Sequence, residues 1–200
     1  VAGYDLLLPL ADFDAVNLQG INGTIFALLA LDSGGYDVPQ NPDAAVQATR
    51  EGYLQYILDA QLPDGGWSLA GGSADVDLTA MALCALAPYR EDADTAAAVE
   101  RGLACLSSLQ EADGGFTAYG AQSCETVCQV ILALTSLGIA ADDARFVKNG
   151  AALSSALARF AQTDGGYAHT PNGGTDSMAS EQALCALTAL RRAENGQSGF

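Results

Sequence analysis

The sequence predicts an all-α fold of repeated helical hairpins, bent into an open arc or an incomplete α/α barrel. The first observation is a period. The strings QLPDGGW, QEADGGF and QTDGGY end at Trp67, Phe116 and Tyr167, and their aspartates Asp64, Asp113 and Asp164 recur about every 50 residues. The second is that apolar residues precede these strings at helical spacing, as in Val99, Leu103, Leu106 and Leu109, or Leu153, Leu157 and Phe160. The third is that each string is followed, after a short polar loop, by a segment almost free of charge: LTAMALCALAP, TVCQVILALTSLGIAA or QALCALTAL. Their Ala, Leu and Met content favours helix over strand, and their lack of a polar face favours burial on most sides.

A degenerate first copy covers about 4–33, with an inner helix in IFALLAL from Ile25 ahead of DSGGY. The stretch 43–61, DAAVQATREGYLQYILDAQ, supplies the amphipathic outer helix of the first clear repeat, 43–90. The second and third repeats span about 94–138 and 150–194, and the whole of 1–200 reads as one domain. Outer helix, glycine turn and inner helix form the unit. Stacking such units sets the inner helices side by side and gathers the glycine loops on one rim. The one β-rich stretch is too short for a sheet, and a ring of six pairs at this period needs about 300 residues.

With half its residues hydrophobic and 16 % charged, the chain has the means to build a substantial core. Its net charge of −16 leaves no basic patch to neutralise a phosphate backbone or an anionic bilayer, so cations or neutral ligands fit better than nucleic acid. The longest uncharged run, Thr126 to Ala141, falls short of the roughly 20 apolar residues of a membrane span. The opening at Val1 without Met, and the absence of a leader pattern, suggest a fragment or processed product of a longer, multidomain chain. Cys84 and Cys185, both within ALCAL, read as buried thiols; Cys124 and Cys128 lie one turn apart without the partners of a zinc site.

RGLACLSSLQEADGGF, residues 101–116, resembles the glutamine-tryptophan repeat of squalene and oxidosqualene cyclases, with Arg101, Gly102, Leu106, Gln110 and Gly114 in place and Phe116 standing for Trp. QLPDGGW keeps Gln61 and Trp67, whereas QTDGGY is one residue short between Gln162 and Asp164. From about 20 to 196 the chain resembles the prenyltransferase and squalene-cyclase type of α/α toroid. DLTAMALCALAPY, RFVKNG and MASEQALCALTAL bring it nearest to modules in secreted or surface proteins of Gram-positive and gut bacteria. That resemblance implies an extracellular setting and no established reaction. Within the motif, glycine permits the turn, the glutamine amide satisfies N–H groups of a neighbouring helix, and Trp67, Phe116 and Tyr167 are either packing wedges or ligand contacts.

DVDLTAMA, from Asp75, also resembles the Asp-x-Asp-Asp acid motif of class II terpene cyclases, in which the middle acid protonates an alkene or epoxide. The match assigns Asp77 as general acid and Asp75 as its partner, but Leu78 replaces the last acid. A second reading of the same residues is helix capping, since Asp is favoured at an N-cap and acids are favoured near a helix N-terminus. Aligning the three inner segments sets Asp75, Ser123 and Asp176 at one position and Asp77, Glu125 and Met178 at another. Asp75, Asp77, Glu125, Asp176 and Glu181 then gather as an acidic rim, with no calcium-loop pattern among them. Asp75-Val-Asp77 lacks the thiol of the Asp-x-Cys zinc pair of protein prenyltransferases. The lone His169, in GGYAHTPNGG, is a loop residue or a ligand contact. Asn22-Gly-Thr matches a glycosylation triplet but reads as helix start.

Three functions follow from this sequence. The leading one is a non-catalytic binding or scaffolding module of a bacterial surface protein, without metal or cofactor, whose ligand meets Trp67, Phe116, Tyr167, Glu125, His169, Asp176 or Glu181. The alternative is a terpene-cyclase-like enzyme using Asp77. A third is carriage of cobalamin or another small molecule, because DLTAMALCAL resembles the inner-helix starts of vitamin B12 transport proteins.

Overall fold

The computed structural model describes residues 3–118 and 120–197. Inner helices are α2 (Ile21–Asp32), α4 (Val76–Leu86), α6 (Cys124–Ser136) and α8 (Ser177–Glu194); α1 (Phe13–Val16), α3 (Arg50–Asp59), α5 (Ala93–Leu109) and α7 (Leu153–Ala158) complete the helices. The inner helices pack in chain order, α2 on α4, α4 on α6 and α6 on α8, and among the described residues no comparable packing joins α8 back to α2. The result is an arc of an α/α toroid, not a closed ring.

Each outer helix lies nearest the inner helix before it: α3 on α2, α5 on α4, α7 on α6. The Asp-Gly-Gly turn therefore leads from one hairpin to the next. Apolar side chains from both layers meet between them, with Trp67, Tyr53, Phe116, Phe146 and Phe160 fully buried. α8 differs from the other inner helices. Its buried stripe is Ala179, Ala183, Ala186 and Ala189, small residues that admit α6, while Leu184, Leu187 and Cys185 on other faces are exposed. Burial thus fails to hold for Cys185, because α8 is the last helix of the arc; Cys84 is half-buried.

Local chemistry sets the start of α3 later than the amphipathic stretch 43–61 suggests. α3 begins after Thr49, whose hydroxyl accepts from Gly52 N at 3.0 Å. The preceding residues are drawn into extended pairing, with Phe13 N donating to Val46 O and Ala48 N to Ala11 O. α7 starts at Leu153, where its apolar spacing begins, just after a tight turn in which Lys148 and Ala151 bond each other in both directions. Two short antiparallel hairpins, β1–β2 (Thr117–Ala118 and Ala121–Gln122) and β3–β4 (Tyr167–Ala168 and Thr175–Asp176), link the glycine turns to α6 and α8.

The repeat motif is a set of staples between successive outer helices. Gln61 Nε2 donates to Gly65 O (2.7 Å) and to Ala98 O of α5 (2.8 Å), and Gln110 Nε2 donates to Gly114 O (3.0 Å) and Phe146 O (2.9 Å). The amides thus satisfy carbonyls, not helix N–H groups as the sequence suggests, since the turn presents its C=O groups inward. Arg101 completes the first staple by donating to Gln61 Oε1. The matching place in the next copy is Ala151, so Gln110 Oε1 is buried without a partner. Gln162, one residue out of register, bonds only Phe160 O. Gly65 and Gly114 take φ of +90° and +83°, and a Cβ there would lie 2.7 Å from Arg101 O or 3.0 Å from Ala151 O.

Candidate functional site

Three helix starts build the site. Asp75 caps α4, accepting from Leu78 N at 2.8 Å; Ser123 caps α6, accepting from Thr126 N at 3.1 Å; Asp176 caps α8, accepting from Ala179 N at 2.9 Å. Each side chain satisfies an N–H that the helix leaves without a partner. Asp75 and Asp176 are thus committed to their own backbones. The next residue but one, Asp77, Glu125 or Met178, lies just over half a turn further round the helix and lines a cavity of about 490 Å³. Thr126, His169, Asp176 and Gln182 line it too.

Asp77 is the unusual member. Its Oδ1 is shielded from solvent and has no hydrogen-bond partner among the described residues. Burial pushes its carboxyl up to about 6; hydrogen bonding from Thr126 pulls down, and the charges of Asp75 and Glu125 push further up. A neutral carboxylic acid is therefore well populated near pH 6, in a position to donate its proton. Thr126 Oγ1 lies 2.8 Å from Ser123 Oγ, so the first turn of α6 presents hydroxyls where α4 and α8 carry Asp caps.

Glu125, its side chain 14 % exposed, meets His169 Nδ1 at 2.8 Å. His169, 60 % exposed, leans over from the β3–β4 hairpin, and its carbonyl accepts Cys124 N at 2.9 Å, anchoring that hairpin to the start of α6. The half-exposed residues of the otherwise buried α4 are Asp77, Met81 and Cys84, a single i, i+4, i+7 stripe. Glu125, Gln129 and Leu132 repeat it on α6, and Gln129 Nε2 donates to Gln182 Oε1 at 3.0 Å. These stripes are the half-exposed faces of two neighbouring inner helices. They were legible as the residues at equal helical offsets from the aligned Asp77 and Glu125.

Other candidates fall elsewhere. Trp67 and Phe116 are fully buried and away from the cavity; Trp67 Nε1 donates to Ile57 O at 2.7 Å, pinning the end of α3. As ligand contacts both are replaced by a core role, because the turn directs the ring inward between the layers. Tyr167 is half-buried in β3, its N–H bonded to Ser180 Oγ, and Glu181 points outward on α8. Thr79 is the counterpart of Ser180, accepting Trp67 N at 3.0 Å, a role the sequence analysis missed. Cys124 and Cys128 are buried with sulfurs 3.9 Å apart. Among the described residues no cluster of His, Cys, Asp and Glu has the arrangement of a metal site, and no helix is long and apolar enough to cross a membrane.

An arc of paired helices with its helix starts gathered on one rim defines the class, and the family comparison gives it a name. Residues 20–198 match the family model described as the prenyltransferase alpha-alpha toroid domain, and the chain belongs to that family. Among characterised proteins it is similar to drimenyl diphosphate synthase of Streptomyces showdoensis, at 32 % identity over 155 residues. The match takes in 74 % of this chain but 28 % of that enzyme's length.

Proposed function

We propose that this chain is the acid-bearing part of a terpene-cyclase-like enzyme in which Asp77 protonates a carbon–carbon double bond. One observation carries the reading: a carboxyl oxygen shielded from water and without a hydrogen-bond partner among the described residues, on a residue that lines a cavity. The Asp77 O–H bond breaks as the C–H bond forms, leaving a carbocation in the substrate and a carboxylate on the protein. The carboxylates around the cavity favour that positive charge. The family and the similarity to drimenyl diphosphate synthase support this choice over the scaffolding module that the sequence favoured. Cavity acids, with no Lys or Arg among the described lining residues, fit the hydrocarbon part of a substrate and disfavour a diphosphate there.

A second reading, non-catalytic binding of a neutral or cationic ligand, is favoured by one feature: among the described residues no Phe, Tyr or Trp ring lines the cavity. Turnover decides between them. The protein containing this chain is incubated with squalene and with prenyl diphosphates, beside Asp77→Asn. The cyclase reading expects cyclised product from the native protein alone, at a rate that falls as pH rises through about 6. Equal product from both proteins, or none from either, removes it.

A further inference from the structure

We infer that the Gln129–Gln182 amide pair holds a water molecule that captures the carbocation, so that the product is a cyclised alcohol. This rests on the reading of Asp77 as the acid that leaves a carbocation in the cavity. Asp77, Glu125 and Met178 form the first row at the helix starts. Four residues further along each helix, on the same face, lie Met81, Gln129 and Gln182. Gln182 lines the same cavity as Asp77, and Gln129 reaches it from α6, Nε2 to Oε1, at 3.0 Å.

A glutamine amide offers two N–H donors and a carbonyl with two lone pairs. The bond between these two uses one donor of Gln129 and one lone pair of Gln182, and neither amide bonds another described residue. The Gln129 carbonyl and the Gln182 NH2 group are therefore uncommitted; turning both amides over exchanges their places and leaves the same pair of groups. Hydrocarbon alone packed against them would strip both of water without replacing its hydrogen bonds, at a cost in free energy. A water molecule matches both. The carbonyl accepts one of its O–H bonds and the NH2 group donates to one lone pair, which leaves the second lone pair free to attack. In the step, that lone pair forms a C–O bond to the cation. The resulting oxonium gives a proton to the Glu125 carboxylate, which lines the cavity one turn before Gln129 on the same face of α6. Substrate and one water become a cyclised alcohol; Asp77 has given one proton and Glu125 has taken one.

The oxygen and the product ratio test this together. The protein containing this chain is incubated with squalene and with prenyl diphosphates in water enriched in heavy oxygen, and its cyclised alcohol and cyclised alkene are measured separately. The native protein should give alcohol carrying one heavy oxygen on a ring carbon. Gln129→Met and Gln182→Met, close to glutamine in volume, should each lower the alcohol-to-alkene ratio about tenfold, the effect of losing one hydrogen bond to the attacking water. A structural role alone would change the amount of product and leave that ratio where it was. Cyclised alkene alone from the native protein, alcohol whose oxygen does not come from water, or a ratio unmoved by both substitutions overturns the inference while leaving Asp77 as the acid. Absence of any cyclised product from the native protein instead removes the proposed function, and this inference with it.

Discussion

At the scale of the residue, Asp77 and Asp75 sit two positions apart and do opposite things. Asp75 is tied to Leu78 N, whereas Asp77 Oδ1 has no hydrogen-bond partner among the described residues. Because the folded pKa of Asp77 is raised from 3.8 to about 6, the folded state holds the proton more tightly than the unfolded chain. Its contribution therefore favours folding below about pH 4 and is lost as pH rises through about 6. Asp77→Asn should stabilise the protein at pH 7 by about 1–2 kcal/mol, a figure reduced for the partial exposure of the group, and should flatten stability between pH 4 and 6. Urea unfolding across that range checks this; a variant less stable at pH 7 contradicts it. Asp113 shows the reverse sign. Hydrogen bonding from the Arg159 guanidinium holds its carboxyl down to about 2, so this link strengthens folding above about pH 4 and is lost as pH falls through 2. Arg159→Ala should raise the Asp113 pKa, measurable by carboxyl-carbon NMR titration; an unmoved Asp113 contradicts the pairing.

At the scale of the element, the three Asp-Gly-Gly turns share a conformation but not a neighbour. Gly65 and Gly114 lie against carbonyls of the following outer segment, whereas a Cβ added at Gly165, at φ +91°, would meet no atom of the described residues within 4 Å. Gly65→Ala should cost about 2–3 kcal/mol, from positive φ plus a backbone clash, and Gly165→Ala only about 1 kcal/mol. Comparable losses in denaturant unfolding contradict that distinction. Much of this level was legible in the sequence. The helix-to-turn-to-helix order was, and so was the placing of Asp75, Ser123 and Asp176 at equivalent helix starts. The pairing of each outer helix with the inner helix before it was not, since periodicity reports which face is apolar and not which neighbour covers it. The late start of α3 was hidden for a similar reason. Val46 and Ala48 lie within an amphipathic stretch, and only their bonds with the Ala11–Phe13 segment remove them from helix.

At the scale of the whole molecule, side-by-side inner helices turn a local capping rule into a shared site. Residues 48 or more positions apart in the chain, such as Asp77 and Glu125, face one cavity because each follows a helix N-cap by the same offset. The acidic rim was visible in the aligned sequence; His169 as the partner of Glu125 was not, because nothing in GGYAHTPNGG indicates which helix start its loop will cover. The missing third carboxylate, at Leu78, weighed against an acid role for Asp77, yet burial and the nearby acids raise its pKa without it. Trp67 and Phe116 went the other way, from candidate ligand contacts to core. The most direct test of Asp77 as proton donor is to run the reaction in D2O. A cyclised product carrying one carbon-bound deuterium from solvent, formed by the native protein and not by Asp77→Asn, is the predicted result; product without deuterium, or deuterated product formed equally by Asp77→Asn, contradicts it.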